Sequence, residues 1–337
     1  MRVFDTISDD IKAILNTRIC DLGLKIEGSQ LEPLIGQMYR EIEDKGLKKF
    51  HPGVYLSDEW GCPSGEPVIG IPFYLADPRL AELESQVNDL ESEIETMMYL
   101  RHEAGHAINY AYKLHRTAEW KALFGPFRRP YRDAYKPIAF SRRFVRHIAG
   151  WYAQKHPDED FAETFAVWLT PDSDWHQKYM HWAAIQKLEY VDRIFGEIGD
   201  RDPLRKRGRP DLTVDEMEMT VAEFYESSLE QESEAHDLAI DTDLIDIFGR
   251  PRTPQPELRL AADLLREHRK TLTDKVTYWT GVQRPRAKKL VESIEQRVRE
   301  LGLCVNARRE QELLTEVTVY VTALAMNYLL RGKFVER

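Results

Sequence analysis

The stretch "YLRHEAGHAINYAYK", residues 99–113, places two histidines and a glutamate in one short apolar segment. His102 and His106 are four residues apart, so on a helix their imidazoles lie on the same face and can bind one metal ion. Glu103 follows the first histidine and can reach a water at the open side of that ion. The alternative interpretation is a structural pair of helix histidines. The choice between the two depends on whether the chain supplies a third ligand.

A second helix is predicted over residues 157–170, "PDEDFAETFAVWLT", because proline suits its first turn and another proline follows its end. Glu159 and Glu163 share one face of this otherwise apolar helix, and two buried carboxylates are costly unless they meet a cation. One can bind the metal and the other can accept a hydrogen bond from a ligand histidine, and spacing leaves both assignments open. Two further acids are interpreted as charges at the positive end of the helix dipole: Asp158 and Asp160.

H-E-x-x-H followed by a helix that carries E-x-x-x-E is similar to the gluzincin group of zinc metallopeptidases. The segments "RHEAGHAINY" and "HPDEDFAETFAVWL" resemble a bacterial family of zinc-binding metallopeptidases over residues 60–180, and more distantly the catalytic domain of anthrax lethal factor. The resemblance implies a Zn²⁺ cofactor held by His102, His106 and Glu159. It also implies that Glu163 orients one of the two histidines.

The resemblance further implies a catalytic tyrosine seven residues before the ligand glutamate, which is Tyr152 in this chain. A phenol at that position could stabilise the oxyanion of a tetrahedral intermediate. The alternative for Tyr152 is a packing role beside Trp151. Tyr131 and Tyr135, on the loop between the two motifs, are weaker candidates for the same task.

These residues predict hydrolysis of a peptide or protein substrate, with Glu103 as the general base and zinc as the electrophile. One alternative is a non-catalytic zinc-containing binding or regulatory protein that acts on a protein partner, which would have no need of Glu103. Another is an enzyme for a non-peptide amide. The segment "VIGIPFYL", residues 68–75, contains Pro72 and is predicted as an edge strand. It could pair with an extended substrate or be a plain structural hairpin.

The whole chain predicts a mainly α protein of the α+β class. Short strands are expected over residues 51–80, a long helix over 81–114 and another over 174–196. The predicted organisation has four parts: an N-terminal helical segment (1–50), a zincin-like catalytic domain with a small sheet beside the HExxH helix (51–200), a charged linker (201–250) and a C-terminal helical domain (251–337).

The formal net charge of −10 makes the chain a poor general binder of nucleic acid. The three cysteines form no C-x-x-C pair, so we expect neither a disulfide framework nor a cysteine zinc site: Cys20, Cys62 and Cys304. Acids near the N-terminus argue against a secretory signal, and the most apolar late stretch, residues 317–330, is shorter than a membrane span. We therefore expect a cytoplasmic protein without membrane contact.

One segment of the chain is strongly acidic. Residues 211–246 contain thirteen Asp and Glu and no Lys or Arg, whereas the loop over residues 121–150 is basic. A solvated segment is the usual interpretation of such a charge block. A further hypothesis is that the acidic segment pairs with the basic loop and covers the cleft of the catalytic domain.

Overall fold

The computed structural model describes residues 9–132, 135–231, 240–249 and 258–334. In these ranges the chain is mainly helical with two small sheets, which agrees with the expected mainly α member of the α+β class. The chain divides into two compact units, Met1–Ile148 with Tyr152–Leu229, and Ala149–Trp151 with Glu230–Arg337. Each unit contains a hydrophobic core of its own. The boundaries of the four predicted segments stay predictions.

The first unit is a set of helices around one pair of strands. In chain order these elements are α1 (Asp9–Leu15), α2 (Leu31–Asp44), β1 (Gly53–Ser57), β2 (Val68–Pro72), α3 (Pro78–Val87), α4 (Glu93–Tyr112), α5 (Ala118–Phe124), α6 (Pro157–Leu169), α7 (Trp175–Tyr179), α8 (Ile185–Ile198) and α9 (Val221–Gln231).

The strands β1 and β2 pair in parallel, with Gly53 opposite Val68. On the other side of β2, Gly61 and Gly70 exchange both backbone hydrogen bonds, at N···O distances of 3.2 and 2.7 Å. The prediction of an edge strand is therefore wrong at Gly70, which has a neighbour on each side. Pro72 is tolerated because it ends the strand, where a missing N–H donor breaks no ladder.

The long helix predicted over residues 81–114 is two helices, α3 and α4. The chain leaves the helix after α3, and Ser92 starts α4 with a capping box. The Ser92 hydroxyl accepts from the Glu95 N–H, and the Glu95 carboxylate accepts from the Ser92 N–H. The helix predicted over 174–196 is likewise interrupted between α7 and α8. By contrast, the helix predicted over 157–170 is confirmed as α6.

Residues 201–213, predicted as part of a linker, are bound to the first unit by long-range hydrogen bonds. The Arg205 N–H donates to the Ala111 carbonyl at the end of α4, with an N···O distance of 3.0 Å. Further along, the Tyr55 hydroxyl of β1 donates to Asp211 at 2.6 Å. Residues 232–239 of the acidic segment lie outside the described residues, so the pairing of that segment with the basic loop stays a prediction.

The second unit is a helical bundle with one short antiparallel strand pair. Its elements are α10 (Asp241–Phe248), β3 (Leu258–Leu260), α11 (Ala261–Glu267), α12 (Arg269–Thr280), α13 (Arg284–Glu300), β4 (Cys304–Asn306) and α14 (Glu310–Arg331). The expectation that the apolar stretch near the C-terminus is shorter than a membrane span is wrong, because Ala307–Arg331 is long and apolar enough to cross a membrane by length and composition. One such helix among the described residues is weak evidence for a membrane span, and 22% of its apolar window is buried. Leu313, Val317 and Val321 of α14 are buried in the core of this unit.

Candidate metal centre

The helices α4 and α6 approach each other closely at Gly105. A Cβ atom at that position would lie 2.9 Å from the Cα of Ala162 and 3.2 Å from its carbonyl oxygen, so the contact requires glycine. Every residue of α6 is buried, as its apolar sequence predicts. The close approach brings the two histidines of α4 within reach of the glutamates of α6.

Three possible ligand atoms converge between these helices. His102 Nε2 lies 3.0 Å from Glu159 Oε2, and His106 Nε2 lies 3.2 Å from the same oxygen. The two Nε2 atoms are 3.1 Å apart. Ligands at zinc distances of 2.0–2.2 Å in a tetrahedral arrangement lie about 3.3 Å from one another. The triangle therefore has the size that zinc requires, and these three residues could hold a metal ion.

The chemistry of the ligand atoms also fits a cation. His102 Nδ1 lies 3.0 Å from Glu163 Oε1, so that carboxylate accepts the Nδ1 proton. His106 Nδ1 lies 3.1 Å from Asp158 Oδ2, at an angle outside hydrogen-bond geometry. When their protons are on Nδ1, both histidines direct an Nε2 lone pair towards the oxygen of Glu159. Three acceptors at such distances repel one another unless a cation lies between them.

The carboxylates behind the histidines are held by further donors. The Ile148 N–H donates to Glu163 Oε2 at 2.9 Å. Asp158 accepts from Asn109 Nδ2 at 2.8 Å and from the Tyr110 hydroxyl, and both donors lie on α4. The interpretation of Asp158 as a helix-end charge is therefore incomplete, because its carboxylate also joins α6 to α4 beside His106. Spacing does not signal this contact.

The neighbouring acid Asp160 faces away from the triangle. Its carboxylate accepts from the Lys187 ammonium of α8 at 2.6 Å, and the same ammonium donates to the Arg143 carbonyl at 2.8 Å. Burial raises the pKa of Asp160 to about 7 even though the cation beside it acts in the opposite direction. This buried pair fastens α6 to α8 and to the loop that precedes α6.

The site favours positive charge at the triangle. Burial acts to lower the pKa of His102, but its hydrogen bonds to Glu159 and Glu163 outweigh burial and bring that pKa to about 9. Burial acts to raise the pKa of Glu159, but the two histidines that face it hold the pKa well below its usual range. Protons and a metal ion therefore compete for the same three atoms.

A cleft of about 450 Å³ opens onto the triangle. Glu103 lines this cleft, its side chain is buried, and burial raises its pKa. Among the described residues none makes a hydrogen bond with the Glu103 carboxylate. The other walls of the cleft combine aromatic and charged side chains, which include Trp60, Tyr110, Phe127, Arg129 and Asp211.

Two tyrosines reach the second oxygen of the third ligand. The Tyr152 hydroxyl lies 3.4 Å from Glu159 Oε1, so the predicted catalytic tyrosine is at the site. Tyr131 is closer, because its hydroxyl donates to Oε1 at 2.6 Å and lies 3.2 Å from the Tyr152 hydroxyl. Lys155 donates to the Tyr152 hydroxyl at 3.4 Å. An irregular loop carries Tyr131, so no helical spacing indicates its position.

The structure brings all six predicted site residues together: His102, Glu103, His106, Tyr152, Glu159 and Glu163. Of the two assignments left open by spacing, the geometry favours Glu159 as the ligand, because Glu159 faces both Nε2 atoms. Glu163 contacts the far nitrogen of His102. The cleft wall over residues 59–64 and Lys155 are parts of the site that the sequence analysis missed.

Comparison with known families bears on the same region. The family model described as "Putative zinc-binding metallo-peptidase" matches residues 12–194, which is more than half of the chain. The chain matches no curated protein and no solved structure. The matched range contains α4, α6 and all six site residues, and it confirms the expected family and the zinc cofactor that the family name carries. The distant similarity to lethal factor stays a prediction. The chain therefore belongs to this family of zinc-binding metallopeptidases.

Proposed function

We propose that this protein hydrolyses peptide bonds and that its first unit is a zincin-like catalytic domain. The observation that carries the proposal is the position of Glu103 beside the triangle of His102, His106 and Glu159. Its carboxylate lines the open cleft and has no hydrogen bond to another described residue. A carboxylate in that position is available to a water molecule, which is what a general base requires.

When zinc is bound at the triangle, it supplies a water of lowered pKa and a Lewis acid for the scissile carbonyl. Glu103 takes a proton from the attacking water and later gives it to the leaving amine. The raised pKa of Glu103 suits the second task, because a carboxyl that holds its proton longer can deliver it to nitrogen. The Tyr152 hydroxyl lies at the site and has only a 3.4 Å contact with Glu159, so it can donate to the carbonyl oxygen as that oxygen gains charge.

The substrate backbone is expected to lie along the wall formed by residues 59–64. The N–H and C=O of Gly61 are hydrogen-bonded to Gly70 of β2. In an extended segment the neighbouring residues direct their backbone N–H and C=O groups to the opposite side. The open edge next to the cleft therefore belongs to this segment, so we propose residues 60–62, rather than β2, as the edge that pairs with the substrate. An extended peptide could add to that edge as a further strand.

The rival function is a non-catalytic zinc protein that binds a partner. The test uses a mixture of unstructured peptides, with the full-length wild type and a Glu103→Gln variant, and follows cleavage by mass spectrometry. We expect the variant to keep its zinc and to lose roughly 10²–10⁴-fold in kcat/KM, since the triangle is intact and only the base is removed. Zinc-loaded wild type that cleaves no peptide, or a Glu103→Gln variant as active as wild type, would favour the rival.

A further inference from the structure

We infer that Tyr131 is a positioning residue for the third ligand: its hydroxyl holds Oε1 of Glu159, so that Glu159 presents only Oε2 to the two histidines. The inference rests on the proposed zinc site and adds to it a residue of the loop between the two motifs. It concerns how the carboxylate is oriented, and therefore how many of its oxygens can reach a metal ion.

The two oxygens of Glu159 have different partners. Oε2 lies 3.0 Å from His102 Nε2 and 3.2 Å from His106 Nε2. Oε1 accepts from the Tyr131 hydroxyl at 2.6 Å, a distance typical of a charge-assisted O–H···O⁻ bond. The Tyr152 hydroxyl is at 3.4 Å, near the limit for a hydrogen bond. Tyr131 is therefore the donor that fixes Oε1.

Neighbouring groups hold the Tyr131 ring although about half of its surface is exposed, at 52%. The Lys155 ammonium lies 4.3 Å from the ring centroid, and the His156 ring lies 5.3 Å away. His156 caps α6 by accepting from the Asp158 N–H and donates from Nε2 to the Arg129 carbonyl. The start of α6 and the loop that carries Tyr131 are therefore held together next to the ligand.

The hydrogen bonds run in one direction. Lys155 donates to the Tyr152 hydroxyl, the Tyr152 hydroxyl can donate to that of Tyr131, and Tyr131 donates to Glu159. This series of hydrogen bonds ends on Oε1 of Glu159.

The hydrogen bond from Tyr131 affects how many oxygens of Glu159 can bind a metal ion. A carboxylate can bind a metal through one oxygen or through both, and a catalytic zinc site needs three protein ligands with one position left open. A second oxygen from Glu159 would compete for that open position. By holding Oε1, Tyr131 keeps Glu159 to one oxygen and leaves the position for water or substrate.

The test compares full-length wild type with Tyr131→Phe, which removes only the hydroxyl. Zinc affinity is measured by competition with a chromogenic chelator, and coordination number by the visible absorption of the Co²⁺-substituted protein. We expect zinc affinity to fall roughly 10-fold or more. We also expect weaker Co²⁺ absorption bands, because a second carboxylate oxygen raises the coordination number and weakens these bands. A purely structural role for Tyr131 would not alter the spectrum.

The matched control is Tyr320→Phe. Tyr320 donates to the carboxylate of Asp243 at the same 2.6 Å, but in the second unit. We expect its zinc affinity and Co²⁺ spectrum to equal those of wild type. A second comparison is Tyr152→Phe, for which the 3.4 Å distance predicts a smaller spectral change than for Tyr131→Phe.

The outcomes separate the inference from the proposed function. Wild type that binds neither zinc nor Co²⁺ would overturn both. Wild type that binds zinc, together with a Tyr131→Phe variant indistinguishable from Tyr320→Phe in affinity and spectrum, would overturn the inference and leave the proposed function standing. A larger change for Tyr152→Phe than for Tyr131→Phe would also overturn it and assign the ligand contact to Tyr152.

Discussion

Glu159 and Glu163 lie one turn apart on α6 and contact the histidines through different atoms. Glu159 faces both Nε2 atoms, whereas Glu163 accepts from Nδ1 of His102 and from a backbone N–H. The same residue type therefore occupies one position from which it could bind a metal ion and another from which it supports a histidine. Helical periodicity puts both acids on one face, but only the packing of α6 against α4 decides which one meets the Nε2 atoms.

Variants that replace one or the other glutamate should differ in the amount of zinc that they bind. Glu159→Ala removes one of three ligand atoms, and we expect the purified protein to lose nearly all of its zinc. Glu163→Ala leaves the three ligands in place and should weaken zinc binding roughly 10–100-fold. Atomic spectroscopy gives zinc per chain, and chelator competition gives the affinity. The opposite ranking of the two variants would show that Glu163 is the ligand.

Asp158 permits a second test at the residue scale. Its carboxylate lies 3.1 Å from His106 Nδ1 and accepts from two donors of α4. Asp158→Asn keeps the size and removes the charge, so zinc affinity should fall roughly 10-fold. The control is Asp172→Asn, at an exposed position beyond the end of α6, which should bind zinc as wild type does. Equal affinities in both variants would leave Asp158 with its helix-dipole role alone.

The site shows what sequence can predict at this scale. His102, Glu103 and His106 are fixed relative to one another by one helix, so their spacing was sufficient. Asp158 and Tyr131 meet the site only through contacts between α4, α6 and the loop before α6. Those contacts depend on the rotation of one helix about another and on an irregular backbone, neither of which follows from local periodicity.

The contact between α4 and α6 is an element-scale property that depends on Gly105. In Gly105→Ala the new Cβ would lie 2.9 Å from backbone, so the helices must move apart. We expect a loss of about 1–3 kcal/mol in the free energy of unfolding. Zinc affinity should fall as well, because the ligands lie on the two helices that move.

Gly196→Ala is the matched control for that substitution. Gly196 lies inside α8, is exposed, and has no atom within 4 Å of an added Cβ. Alanine there should raise the free energy of unfolding by about 1 kcal/mol through helix propensity alone. Urea unfolding followed by circular dichroism measures both variants. Equal shifts of the same sign would mean that the close approach of α4 and α6 does not limit stability.

The helices and strands also show where the periodicity of apolar residues fails to predict secondary structure. The helix α6 was predicted almost to the residue because prolines bound it at both ends. The single helix predicted over residues 81–114 is wrong because α3 ends at its C-cap Asn88, and a capping box formed by Ser92 and Glu95 starts α4. The neighbour of β2 at Gly61 was missed for another reason, since an isolated bridge has no strand pattern.

Over the whole molecule, the described residues form two hydrophobic cores. The helical nature of the C-terminal part follows from its apolar stripe, which includes Leu313, Val317 and Val321. The attachment of residues 201–213 to the first unit was not predictable, because it depends on hydrogen bonds to residues about 90 to 160 positions away along the chain. Charge and proline content describe such a segment as a linker whether or not it is bound.

The division into two cores predicts how the protein responds to loss of its metal. All three ligand atoms belong to the first unit, and a ligand at 1,000 times its dissociation constant stabilises the state that binds it by about 4 kcal/mol. Calorimetry of the full chain should therefore show two transitions. A zinc chelator should lower one of them by roughly 8–16 °C and leave the other unchanged.

The assignment of the two transitions can be checked in the second core. Ile294 is buried there, and Ile294→Ala should cost about 2–5 kcal/mol. That loss should appear in the transition that the chelator leaves unchanged. If the chelator and Ile294→Ala both move a single common transition, the two cores unfold together. Zinc bound between α4 and α6 would then stabilise the whole chain. When all parts of a protein unfold in one cooperative transition, an interaction in any part raises the single free energy of unfolding.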